Sequence, residues 1–472
     1  MLALVAVILA LSYGYFLQGG GWNQAIRLDL AWALVERGTV AIDAYTANTG
    51  DVAIFEGHLY STKAPGSSFL AVPLVMTLRL VQSGLGLDPE SAGGRALQGH
   101  LITWVLGGWG TAILAWLLAT MSRRWYGARL REQALVALIF GLGTIAFPFA
   151  TVLLGHSLAA VLGVASIALV LPGAGRKAHP GWAGCLAAAA MVTDYPAVIF
   201  LAVSGLVLLW RERSIRAVLL FGLGALGPIL LLATYHQACF GSPLTTGYKY
   251  QTEMFQHTDE AVLLGLFSLP RPDRLLAITF GAKRGLFLLY PACLLGVAAA
   301  FPAWRRRESR LPLLAAWAVF LWFLTLNASY PVWDGGYSSG PRHLIAGVPL
   351  LMAPAALLFR GVLRWPALIV AALSTALATI ITLVNPLGPY QVDSLLGQYI
   401  LPALAMGRVS QNIFLWWPSW QPTSAEEAGK AAVNMGELVG LHGALSLLPL
   451  LLLWVASAVA LVVLQRRAAE PA

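Results

Sequence analysis

The chain has 472 residues, of which 58% are hydrophobic and only 11% charged, whereas soluble domains carry about 25% charged residues. With a mean hydropathy of +0.73, this excludes an ordinary soluble globular domain and predicts a single-domain (1–472), all-α polytopic membrane protein. The net charge of +9 does not indicate nucleic-acid binding, because 17 of the 30 Lys and Arg sit in six short clusters between apolar runs. These are Arg123, Arg124, Arg129 and Arg131; Arg176 and Lys177; Arg211, Arg213 and Arg216; Arg305, Arg306, Arg307 and Arg310; Arg360 and Arg364; Arg466 and Arg467.

In chain order, residues 1–17 read as a retained membrane helix, since no basic segment precedes them and no small-residue cleavage site follows. From residue 96 onward, each basic cluster follows an even number of further apolar crossings. All six therefore share one side, which the positive-inside rule assigns to the cytoplasm. The run 69–81 is short, broken by Pro73, interrupted by Arg79 and followed by Asp88 and Glu90. It is expected to lie in the outer interface rather than cross. The count is then about 12 transmembrane helices plus interfacial helices, with both termini cytoplasmic and outer segments at 18–95, 236–285, 327–343 and 385–440. The setting is a cell inner (plasma) membrane, with chemistry on the periplasmic or extracellular side.

The first outer segment is the most unusual. After Gly19, Gly20 and Gly21, residues 22–37 place Ile26, Leu30, Ala33 and Leu34 on one helical face. Asp29 and Glu36, seven residues apart, project from another. Such a helix lying along the membrane aims a carboxylate at the interface; the same pattern also fits a solvated surface face. Beyond Gly38 the helical period ends, and Gly50-Asp51 and Glu56-Gly57 are turn signals in a polar stretch carrying Asp43, His58 and Tyr60. Lys63-Ala64-Pro65-Gly66 leads directly into the run 69–81. Lys63 is placed for a lipid phosphate or for snorkelling at the interface.

Further along, His156 stands at an outer helix junction, and Asp194-Tyr195-Pro196 separates two short apolar runs, where a charge marks a tight turn or a functional site. In the third outer segment, Gly340-Pro341-Arg342-His343 opens a helix whose N-terminus favours an anion. There Arg342 either clamps phosphate oxygens or ties structurally to Asp334. The stretch from Phe240 to Tyr250, and Trp416, Trp417 and Trp420, supply aromatic faces suited to sugars and equally to membrane interfaces. Cys185, Cys239 and Cys293 have no metal-ligand spacing, and no P-loop, dinucleotide fingerprint or nucleophile elbow is present. No cofactor is required by these residues, although the loop carboxylates leave room for a divalent cation.

The order of elements resembles the GT-C type integral-membrane glycosyltransferases, in particular protein O-mannosyltransferases and the lipid A aminoarabinose transferase. It rests on an outer amphipathic helix with Arg27, Asp29 and Glu36, the Lys63-Ala64-Pro65-Gly66 element, the basic turn Arg123-Arg124-Trp125-Tyr126-Gly127 and the Gly340-Pro341-Arg342-His343 element. The resemblance implies transfer of a sugar from a polyprenyl-phosphate donor to a lipid, glycan or protein acceptor by direct inverting displacement. A first-loop carboxylate, Asp29, Asp51 or Asp43, would be the base. Lys63, Arg342 and Arg27 would bind phosphate, and Tyr60, His156, Asp194, Tyr195 and His343 would line the substrate site. Those relatives place an acidic residue just before an arginine near the start of the amphipathic helix, whereas Asn23-Gln24 precede Arg27 here. The alternative is a lipid or polysaccharide transporter or flippase that uses the same basic residues without making a bond.

Overall fold

The apolar runs fold into helices, which the computed structural model describes over residues 1–173, 175–252, 268–416 and 431–467. Among the described residues, six helices are long and apolar enough to cross a bilayer: Ala92–Tyr126, Tyr195–Glu212, Ile215–Phe240, Arg307–Ser329, Gly361–Val384 and Gly443–Gln465. A helix is the form in which one such run satisfies its own backbone groups in hydrocarbon. Leu219 and Leu223 on Ile215–Phe240 remain 65% and 68% exposed, an apolar face suited to lipid tails.

Six shorter apolar helices accompany them, including Leu2–Gly14 (α1), Gly155–Val170 and Pro180–Thr193. Six helices thus have full crossing length where about twelve spans were expected. Two of the expected spans are broken. Residues 134–154 divide at Thr144, between Leu130–Gly143 and Ala146–Ala150; residues 286–304 divide between Leu286–Leu289 and Cys293–Trp304. Pro148 and Pro291 account for this, because a proline ring clashes with the carbonyl four residues earlier, that of Thr144 in the first case.

The basic clusters converge. Arg360 pairs with Glu132 at 2.5 Å and Arg306 donates to the Tyr126 carbonyl at 3.2 Å. Trp125 Nε1 donates to the Leu171 carbonyl at 2.9 Å, and Arg211 donates to the carbonyls of Val170 and Arg176. Five clusters therefore share one face of the bundle, and Asp194, at the far end of Pro180–Thr193, lies at the other.

Helix α2, Trp22–Arg37, has the bounds that its periodicity and glycines imply, ending on Gly38 at φ 63°. Its setting differs from expectation. Every residue from Asn23 to Ala33 is buried, so this stretch of α2 is enclosed by the fold and Asp29 does not stand on a solvated face. The next helix, α3 (Gly66–Gly84), packs along it, and Arg79 on α3 reaches Glu36 on α2 at 2.5 Å and Glu90 at 2.9 Å. α3 is not among the six long apolar helices.

Two small sheets amend the all-α expectation. β1 (Phe16–Leu17) pairs antiparallel with β4 (Val433–Asn434), tying the end of α1 to the segment before the last long helix. β2 (Val52–Phe55) pairs with β3 (His58–Ser61). Glu56 and Gly57 close this hairpin at φ 50° and 83°. Two positive φ values in a two-residue loop match the right-handed twist of paired strands.

Candidate functional site

The hairpin register explains the first half of the site. Val52 faces Ser61, so Asp51 and Thr62 leave the open end side by side, and the Thr62 hydroxyl donates to the Asp51 carbonyl at 2.8 Å. Lys63, one residue further, donates from Nζ to Asp51 Oδ1 at 3.0 Å. Both side chains are almost enclosed, 14% exposed for Lys63 and 10% for Asp51. Burial pushes the Lys63 pKa down against the pull of Asp51, and the charges of Arg342 and Arg27 push it further the same way. These neighbours place three cations in one cluster.

Arg27 reaches the cluster from α2. Its Nη1 donates to Ser67 Oγ at 2.7 Å and to the Ala64 carbonyl at 3.4 Å, just after Lys63. A Cβ at Gly155 would stand 3.0 Å from the guanidinium and 2.6 Å from the Thr193 carbonyl, so only glycine lets α2 and the two short helices meet here.

Arg342 arrives from the third outer segment. Asp334 is not its partner: Lys283 Nζ holds Asp334 at 2.8 Å, and the Gly336 N–H donates to Asp334 at 3.0 Å. The Arg342 guanidinium makes no hydrogen bond or ion pair among the described residues, and its Nε is buried without a partner. Its loop is braced by fully buried Arg284, which donates to the carbonyls of Asp334 (3.1 Å), Gly336 (2.9 Å) and Pro389 (3.0 Å).

The remaining groups adjoin this cluster. His156 Nδ1 lies 2.6 Å from Asp194 Oδ2, and His156 Nε2 is buried without a partner. The His343 ring stands edge-on to His156 at 5.2 Å and to Tyr330 at 5.5 Å, and its Nε2 also lacks a partner. Burial, then the charges of His156, Arg342 and Lys63, hold His343 well below the ordinary histidine range. The Tyr195 hydroxyl meets His236 Nε2 at 2.9 Å, and Tyr248 packs against Tyr195 and beneath Lys63.

The other candidates are placed apart. On α2, Arg27 and Asp29 are two residues and about 200° apart, so Asp29 faces away from the cluster. It is fully buried, accepts from Asn48 Nδ2 at 3.0 Å, and keeps Oδ2 unpartnered. Burial pushes its pKa well up, against the Asn48 hydrogen bond. Asp43 is exposed and braces the hairpin, accepting from the Leu59 N–H at 2.6 Å and meeting His58 Nδ1 at 2.9 Å. Tyr60 packs edge-on to Phe240 at 5.5 Å, within an aromatic group that includes Tyr250. Glu36 receives a bidentate pair from Arg95 at 2.6 and 2.9 Å. Trp416 is buried against Gln18, while Trp417 and Trp420 lie outside the described residues.

No family model matches the chain, and no curated protein does. The solved chains that match include those of the oligosaccharyltransferase of Archaeoglobus fulgidus. The apo form is 12% identical with a TM-score of 0.47, over 90% of this chain and 61% of that one. The complex with zinc and sulfate is 14% identical at 0.49, over 90% and 58%. The complex with an inhibitory peptide and a dolichol-phosphate is 12% identical at 0.46, over 90% and 60%. The chain thus spans about three fifths of the length of the solved chains it matches.

Arg284, His236, Tyr248 and Tyr330 were not singled out from sequence. Nothing in the sequence sets Arg284 apart from Lys283 beside it, and only the folded loop shows Arg284 turned inward. Among the described residues, no group of three or more His, Cys, Asp or Glu is arranged to hold a metal ion. A groove lined by Ala178, Trp182, Cys185 and Gly224 lies at the opposite end of Pro180–Thr193 from Asp194, and no candidate residue lines it.

Proposed function

We propose that the protein is a membrane glycosyltransferase that takes its sugar from a polyprenyl-phosphate donor at the face opposite the basic clusters. The observation that carries this reading is the meeting of Arg27, Lys63 and Arg342 from three separate segments around Asp51, with Asp194 also beside Arg27. Three cations gathered in a nearly enclosed place suit a phosphate, and Arg342 has no protein anion of its own to neutralise. With the basic face cytoplasmic, the site is periplasmic or extracellular and both termini are cytoplasmic.

In the reaction, an acceptor hydroxyl oxygen attacks the anomeric carbon opposite the phosphate. The bond from that carbon to the phosphate oxygen breaks, its electron pair stays on the phosphate, and the anomeric centre inverts. The three cations stabilise the charge that grows on the phosphate, usually the largest contribution. Asp51 accepts the acceptor's proton, worth roughly 10²–10⁴-fold. Donor phosphate competes with Asp51 for Lys63, so binding the donor frees the carboxylate for that task. Asp29 and Asp43, held by Asn48 and by the hairpin, are the less favoured bases.

The test is transfer from a radiolabelled polyprenyl-phosphate sugar in membranes, comparing the wild type with Lys63→Ala. Transfer by the wild type and its loss in the variant support the reading. No transfer across a panel of such donors overturns it, and lipid translocation without transfer would assign the protein to the flippases.

A further inference from the structure

Two helices that start from the basic face, Pro180–Thr193 and Ile215–Phe240, pack backbone to backbone. A Cβ at Gly224 would stand 1.9 Å from the Gly181 carbonyl, and one at Gly184 would stand 1.9 Å from that of Phe221. The two helices do not start level. Gly181, second in its helix, lies against Leu220, sixth in its own, so roughly one turn of Ile215–Phe240 extends past its neighbour. Where the shorter helix begins, a groove of about 470 Å³ opens, lined by Ala178, His179, Pro180, Trp182, Cys185 and Gly224. Trp182 is 70% exposed, and Leu220 and Leu223 on the longer helix are 41% and 68% exposed. The groove therefore faces hydrocarbon and not the bundle core.

Its mouth is strongly basic. Residues 172–179 and 211–216, which border it, carry Arg176, Lys177, Arg211, Arg213 and Arg216 against a single carboxylate, Glu212. Glu212 meets Arg211 at 3.8 Å, and Arg211 also donates to the carbonyls of Val170 and Arg176. The side chains of Arg176, Lys177, Arg213 and Arg216 are exposed and make no hydrogen bond or ion pair among the described residues. Arg124 adds a further positive charge beside Arg176. Arg360 and Arg306, by contrast, are committed to Glu132 and to the Tyr126 carbonyl. Arg216 is one turn before Leu220 and so on the side of its helix that meets Gly181. An apolar slot open to lipid tails, with unopposed cations at headgroup level, is complementary to an amphiphile with an anionic head.

We infer that this groove binds one anionic glycerophospholipid of the leaflet at the basic face. Lys177 and Arg216 hold its phosphate, and one acyl chain lies between Trp182, Cys185 and Gly224. The inference is independent of the proposed glycosyl transfer.

The experiment uses the full-length protein in phosphatidylcholine vesicles that contain a rising fraction of phosphatidylglycerol. Cys185 is the reporter. It lines the groove and is partly exposed, whereas Cys239 and Cys293 are buried, so its alkylation by a membrane-permeant maleimide reads occupancy. Phosphatidylglycerol is expected to slow alkylation ~10-fold or more, with a saturating dependence on its fraction. Replacing both Lys177 and Arg216 by Gln should move half-protection to a ~10-fold higher fraction. Both side chains are exposed and bond to nothing in the fold, so this variant keeps its packing. Equal alkylation with and without phosphatidylglycerol, or protection undiminished in the double variant, overturns the inference. Protection that follows protein density and not phosphatidylglycerol content assigns the groove to a second copy of the chain, and overturns it too.

Discussion

Lys63 and Asp51 are twelve positions apart in sequence yet meet at 3.0 Å, because the Glu56-Gly57 turn folds β2 back on β3 and sets their register. Removing one partner strands the other in a nearly enclosed place. Lys63→Ala and Asp51→Asn are each expected to lower transfer by ~10²-fold or more. If Asp51 only anchors Lys63, the Asp51→Asn loss will appear in KM; if it accepts the proton, the loss will appear in kcat. Steady-state kinetics on both variants decide between the two.

Arg342 offers the contrasting case. With no hydrogen-bonding partner of its own and the charges of Arg27 and Lys63 beside it, it does not stabilise the fold, and Arg342→Gln should leave thermal stability unchanged or raised. The same change should raise KM for a phosphate-linked donor at least tenfold, because the planar fork for phosphate is lost. A large drop in melting temperature with unchanged KM would assign Arg342 a structural role.

Arg284 should behave the other way round. It is fully buried and donates to the carbonyls of Asp334, Gly336 and Pro389, a spread that the compact lysine ammonium does not reproduce. Arg284→Lys is expected to destabilise the protein by about 2–3 kcal/mol and to make the loop before Arg342 sensitive to protease. Intact loop protection in that variant would refute the bracing role.

Glu36 provides the pH dependence. Burial raises its pKa, but the hydrogen bonds from Arg95 and Tyr45 and the charges of Arg95 and Arg79 outweigh burial and hold it below the ordinary value. A depressed carboxylate contributes stability above its unfolded pKa, about 4.3, and that stability is lost as pH falls through the folded value. Glu36→Gln should therefore cost about 3 kcal/mol or more at pH 7, and its difference from wild type should shrink below about pH 4. Acid unfolding curves of the two proteins check this; parallel curves down to low pH would contradict it.

The hairpin turn offers a stabilising change. Glu56 carries a positive φ, which asparagine tolerates better than glutamate. Glu56→Asn should add about 0.5–1 kcal/mol without altering transfer, as read by melting temperature and activity together.

Much of this arrangement was legible in sequence, and the exceptions share a cause. The bounds of α2 were readable because its apolar period starts after three glycines and stops at Gly38, both local signals. Which of Arg27 and Asp29 would face the site was not readable. They lie on opposite sides of one helix, and packing on both sides, supplied by Asn48 and Ser67, decides between them. The shared face of five of the six basic clusters was readable by counting crossings; the side chains of Arg466 and Arg467 lie outside the described residues. The pairing of Asp51 with Lys63 depends on strand register, which Glu-Gly signals weakly beside Asn-Gly. Arg284 depends on carbonyls 50 to 105 residues away.

The shortness of Pro180–Thr193 has its own consequence. Fourteen helical residues extend roughly 21 Å, and the hydrocarbon core is about 30 Å thick. A helix that starts at the basic face beside Lys177 therefore stops below the far headgroups, and Asp194 and His156 stop with it. On the proposed reading, the reacting centre would then be submerged. A reactant would have to be dissolved in the leaflet already, or tethered to something that is, before it could arrive, and bulk water would reach the same depth sparingly. Such a position would select a lipid-borne donor over a soluble nucleotide sugar before any side chain touched it, and would protect the activated sugar from hydrolysis while the acceptor approached.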